Sequence, residues 1–79
     1  MNIIQLSERH PLLGYVHIDD AGVPLRVGMA VRIGGTTPPW ERFQHREGGL
    51  ASLGPEFITV RVPGLGEYRT TGYNLWVRP

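Results

Sequence analysis

Four short stretches of this chain alternate apolar residues with polar or small ones, and glycine punctuates them. They are Gly14-Tyr15-Val16-His17-Ile18-Asp19, Val27-Gly28-Met29-Ala30-Val31-Arg32-Ile33, Phe57-Ile58-Thr59-Val60-Arg61-Val62 and Tyr73-Asn74-Leu75-Trp76-Val77. A side-chain period of two needs a pleated backbone with one buried face, so the chain reads as mainly β, a small antiparallel barrel of about five strands. Seventy-nine residues suffice for one domain, 1–79. A domain this short buries only about 60% of the surface its unfolded chain exposes, so its core gives limited stability.

The turns between the stretches have recognisable chemistry. Asp19-Asp20-Ala21-Gly22 is expected to close a hairpin from the first stretch onto 23–33, because aspartate bonds its own backbone and glycine takes positive φ cheaply. Pro63-Gly64-Leu65-Gly66 is expected to join the third stretch to a strand at Glu67-Tyr68-Arg69-Thr70, and Thr71-Gly72 to turn the chain once more. Near the start, 2–6 reads as a short strand, and Ser7 as the cap of a single turn that Pro11 ends. The stretch 34–54 has no strand pattern and reads as a long loop, which in so small a domain usually carries function. Trp40-Glu41-Arg42-Phe43 within it is expected to form one helical turn, and Trp40, Phe43, Leu50 and Leu53 to cover an open end of the barrel.

The succession of a strand and turn, Val27-Gly28-Met29-Ala30-Val31-Arg32-Ile33, a long loop, Ile58 to Val62, a glycine turn, Glu67 to Thr70 and a closing Asn74-Leu75-Trp76-Val77 resembles the small SH3-like barrels of the Tudor and KOW kind. The resemblance covers 14–78 and implies that the last segment closes the barrel. The chain departs from Tudor domains in lacking an aromatic cage, and from KOW motifs in lacking their opening basic pattern. Neither family's ligand carries over, since fold alone does not supply function.

Composition narrows the chemistry. There is no cysteine, which removes disulfides and thiolate metal sites and fits a reducing compartment. The opening residues lack the basic start of a signal peptide, and nothing approaches the roughly 18 apolar residues of a membrane span, so a cytoplasmic protein with no membrane partner is expected. His10, His17 and His45 lack ligand spacing, and neither a metal nor any cofactor is expected. Ser7 and Ser52 lie outside a nucleophile elbow, and Gly64-Leu65-Gly66 lacks the third glycine of a phosphate cradle, so the chain is not expected to be an enzyme.

The net charge of +1 is too small for a dedicated phosphate binder. All eight basic residues, however, are arginine, whose guanidinium stacks on aromatics and grips carboxylates with two bonds. Alternation points Val27, Met29, Val31, Ile33, Ile58, Val60, Val62, Leu75 and Val77 inward, and Arg26, Ala30, Arg32, Thr59, Arg61, Asn74, Trp76 and Arg78 outward. The acids Asp19, Asp20, Glu41, Glu47, Glu56 and Glu67 are expected mostly in turns and loops. A basic stripe with Trp76 beside it would follow. The candidate partner-binding residues are therefore Arg26, Arg32, Trp40, Arg42, Arg46, Arg61, Trp76 and Arg78.

These observations imply a non-catalytic module that docks on another macromolecule, a protein first, with a homodimer also open. In size and in its lack of catalytic motifs the chain resembles compact inhibitors encoded by phages and mobile elements, such as anti-CRISPR proteins. The alternative is nucleic-acid binding by the same face, with Tyr68, Tyr73 or Trp76 stacking on bases. A third reading, an active pore formed by self-assembly, would need residues from several copies.

Overall fold

The computed structural model describes residues 14–79, so the expected strand at 2–6 and the turn from Ser7 to Pro11 lie outside the described residues. Six strands are described: β1 (Val16–His17), β2 (Ala30–Ile33), β3 (Glu47–Leu53), β4 (Ile58–Val62), β5 (Gly66–Thr70) and β6 (Leu75–Val77). All pair antiparallel in one sheet of order β1-β6-β2-β3-β4-β5. Two 3-10 turns, Ile18–Asp20 and Glu41–Phe43, supply the only helical backbone among the described residues. The protein is mainly β.

One face of every strand from β2 to β6 drains into a single core. Val31, Ile33, Val60, Leu75 and Val77 are wholly buried, and Met29, Leu50, Val62 and Tyr68 nearly so. Burial of each such aliphatic side chain contributes about 1.5–3 kcal/mol. Phe43, carried by the second 3-10 turn, stacks on Tyr68 at 5.5 Å between ring centres, and Trp40 meets the same tyrosine edge-on at 5.3 Å. Phe43 and Leu50 belong to the core and Trp40 packs against it, whereas Leu53 stays 40% exposed.

The sheet curls until side chains of β5 reach the turn before β6. In the strand order β5 lies four places from β6, which in a flat sheet is about 19 Å at ~4.8 Å per strand. Yet Asn74, just before β6, donates from Nδ2 to the Tyr68 hydroxyl on β5 at 2.8 Å. The second Nδ2 hydrogen goes to the Gly35 carbonyl at 2.8 Å, and Oδ1 accepts from the Thr70 hydroxyl at 2.8 Å. Thr70 Oγ1 in turn accepts the Gly72 amide at 3.2 Å. Side chains close this seam, since β5 and β6 share no ladder.

Close approach needs glycine at one place above all. A Cβ on Gly48 would fall on the Arg61 carbonyl, so β3 crosses β4 there with no room for a side chain. Two residues later the register shifts by one between Leu50 and Ser52, leaving Ala51 as a bulge. Such an insertion bends a strand and strengthens its twist. β3 therefore supplies much of the curl.

Several expectations are corrected. The stretch 34–54 is a loop only to residue 46, and its second half is β3, the longest strand described. The first hairpin does not form: His17 accepts the Asp19 amide on Nδ1 at 3.2 Å, the chain turns at Ile18–Asp20, and β1 pairs with β6 rather than β2. Val27 is 63% exposed because a turn at Gly28 (φ 97) breaks the alternation before β2 begins. Asn74, expected outward, is the buried hub of the seam. Thr59, also expected outward, is buried between Ser52 and Arg69, its register partners on the flanking strands.

Candidate functional site

Strand register decides which of the candidate residues share a face. Across four strands His17, Trp76, Arg32 and Glu47 form one outward rung, through the pairs His17 with Trp76, Trp76 with Arg32 and Arg32 with Glu47. Trp76 is half-buried because its ring lies over Gly34, where a Cβ would sit 2.6 Å from the indole. His17 makes a T-shaped pair with the indole at 5.2 Å, and its Nε2 lies 2.9 Å from the Tyr73 carbonyl. Arg32 donates to Glu47 at 3.2 Å with its side chain only 20% exposed. Gly34 and His17 hold the tryptophan.

The next rung is small in the middle and charged at one end. Ala30, Gly49, Arg61 and Glu67 are successive register partners on β2, β3, β4 and β5. Arg61 donates to Glu67 at 2.7 Å, with the arginine side chain 70% exposed. Because Gly49 carries no side chain on the outward face, a groove of about 390 Å³ opens over β3, lined by Val27, Gly48, Gly49, Ala51, Arg61 and Pro63. Gly49 has room that Gly48 lacks: a Cβ there would stand 3.8 Å from its nearest neighbour, the Met29 carbonyl.

The remaining candidates lie elsewhere or serve the fold. Trp40 belongs to the aromatic cap with Phe43 and Tyr68, and the Arg42 guanidinium sits over the Phe43 ring at 4.7 Å. Arg46 is exposed at the entry to β3, where its carbonyl accepts the Ile33 amide at 2.8 Å. Arg26 is exposed next to Val27, which lines the groove. Arg78 stacks over Tyr15 at 4.7 Å and its amide bonds Ala30, which places it beside the second rung.

The expected basic stripe is corrected on one point. Glu47, expected in the long loop, is a strand residue directly opposite Arg32, Glu67 stands directly opposite Arg61, and both pair with those arginines. Opposite charges across strands stabilise a sheet by about 0.2–1 kcal/mol per pair and leave less field for a distant polyanion. The face is amphipathic more than basic. The Gly48-Gly49 pair, inside the stretch expected to be a loop, lies in β3 and lines the groove. Among the described residues no cluster of three His, Asp or Glu side chains gathers as a metal site, and no helix is long and apolar enough to cross a membrane. Comparison of the chain with protein-family models, curated proteins and solved structures returned no match.

Proposed function

We propose that this chain is a non-catalytic protein-binding module built on an SH3-like barrel, which docks through the groove over Gly48-Gly49 and the adjoining Trp76–Arg32 rung. The observation that carries the reading is the meeting, on one outward face, of an apolar groove with a packed tryptophan and arginines already held by carboxylates. Aromatic and arginine anchors beside apolar pockets are where protein interfaces concentrate their binding energy. A run of β2 to β5 in sequence order, with β6 returning beside β2, supports the barrel assignment, for Asn74-Leu75-Trp76-Val77 then closes the sheet.

The module acts by occupancy, covering a surface of its partner, as small phage-encoded inhibitors do. A protein target is favoured over a nucleic acid because Arg32 and Arg61 are paired with glutamates, and Arg42 and Arg69 lie over Phe43 and Phe57. A phosphate-tracking surface needs unneutralised cations in a row.

Gly49→Leu tests the reading, since the outward Cβ is tolerated while the side chain fills the groove. Immobilised wild type should retain a nuclease-resistant protein from host lysate that the variant loses, with unchanged circular dichroism. Retention by both proteins alike would reject the groove. Loss of all captured material on nuclease treatment would reject a protein partner in favour of nucleic acid.

A further inference from the structure

A second surface, adjoining the groove through the Arg61–Glu67 pair, is the open edge of the sheet. β5 and β1 are the two edge strands among the described residues, and β1 has only two residues against five in β5. β5 pairs with β4 on one side, and among the described residues no backbone bond reaches Gly66–Thr70 from the other. An edge of this kind presents alternate amides and carbonyls as a template for a further strand.

The sequence of that edge says which strand. Gly66-Glu67-Tyr68-Arg69-Thr70 has opposite charges placed symmetrically about Tyr68, and both charged side chains are exposed. If a second β5 runs antiparallel with Tyr68 on the two-fold axis, Glu67 of each chain stands directly opposite the partner subunit's Arg69. Directly opposed residues share a face, so both ion pairs form on the outward side. Glu67 would then sit between Arg61 of its own chain, already at 2.7 Å, and an arginine of the other. Any other charge arrangement at 67 and 69 with like signs would repel itself in this register.

We infer that the β5 edge is a homodimer interface, an isologous two-fold pairing that extends the sheet from one subunit into the next through Glu67–Arg69 cross-strand pairs. Two-fold symmetry makes every substitution count twice. Glu67→Arg sets two arginine pairs face to face, and Arg69→Glu does the same with glutamates. The double variant E67R/R69E restores both attractions with the signs exchanged.

Sedimentation equilibrium between about 1 μM and 1 mM, the span of weak to moderate affinities, reads the association. Wild type should dimerise with concentration, each single variant about tenfold more weakly, and the double variant more tightly than either single one, though short of wild type because residue 67 then repels Arg61 of its own chain. Hydrogen exchange on wild type gives a second measure that needs no variant: amides of β5 should gain protection as concentration rises. A monomer over the whole range would overturn the inference, as would a dimer indifferent to both single reversals. A monomer whose β5 amides are protected at every concentration would also overturn it, by showing the edge covered within one chain.

Discussion

Replacing Asn74 by alanine removes the hub that joins β5 to the turn before β6. Three hydrogen bonds of 2.8 Å disappear, to the Tyr68 hydroxyl, the Gly35 carbonyl and the Thr70 hydroxyl. Each contributes about 0.5–1.5 kcal/mol net, and a buried partner left unpaired costs about 1–3 kcal/mol. Thr70 keeps its bond from the Gly72 amide, so the loss is less than the sum of three orphaned groups. A destabilisation of about 3 kcal/mol is expected. Native domains hold roughly 0.05–0.15 kcal/mol per residue, which for this length is about 4–12 kcal/mol in all, so the change removes a large share. At about 4–8 °C per kcal/mol for a domain of this size, Tm should fall by about 15 °C.

Urea unfolding followed by tryptophan fluorescence reads the difference, with Trp40 reporting from beside Tyr68 at the seam. Tyr68→Phe serves as the partner variant, because it deletes one hydroxyl and leaves Asn74 bonded to Gly35 and Thr70. It should cost about 1 kcal/mol. Because both residues belong to one network, the double variant should lose less than the sum by at least about 0.5 kcal/mol. An Asn74→Ala cost under about 0.5 kcal/mol, or strict additivity with Tyr68→Phe, would refute a seam closed by these bonds.

Other variants probe the remaining elements. Gly48→Ala should destabilise by about 1–3 kcal/mol, since the new methyl falls on the Arg61 carbonyl, while Gly49→Ala should stay within about 0.5 kcal/mol in the same urea titration. Gly34→Ala should displace the indole that lies over it and shift Trp76 emission to the red; an unchanged spectrum would contradict that packing. Glu47→Gln should cost about 0–1 kcal/mol and the difference should fade in high salt, whereas Arg32→Glu, which faces Glu47 with like charge, should cost more. Trp76→Ala should lower stability by about 1–2 kcal/mol through loss of its His17 pair and Gly34 contact, and weaken capture of the partner; capture at full strength would remove Trp76 from the interface.

The strands legible in the sequence are those whose inward positions carry branched aliphatics. Val31 and Ile33, Val60 and Val62, Leu75 and Val77 show the period directly, and each of these pairs is buried. The turn at Pro63 to Gly66 and the helical turn around Glu41–Phe43 were legible for the same reason, local chemistry. β3 was not, because Gly48 and Gly49 have no side chains with which to mark a period and Ala51 is a bulge that would break one. The groove vanished with it. Long-range pairing was equally hidden: nothing within Val16–His17 says that its neighbour is β6, sixty residues away in sequence by order of magnitude. The salt bridges at Arg32 and Arg61 depend on that same register, so a stripe of free cations was the natural reading of a string in which their partners are fifteen and six residues distant. Asn74 was misplaced because alternation alone cannot distinguish an outward polar residue from a buried one with every bond satisfied.

A cylinder fastened by side chains has one line along which it can gape without unzipping any backbone ladder. Along every other boundary, separation would sacrifice the amide bonds of paired strands; at the clasp of Asn74, Tyr68 and Thr70 it costs two side-chain hydrogen bonds and uncovers the rings of Tyr68 and Phe43. Partial opening should therefore be directional, beginning at this clasp while the ladders on either side of β2 and β4 stay intact. A protease or a chaperone that samples such openings would meet the same two aromatic rings first.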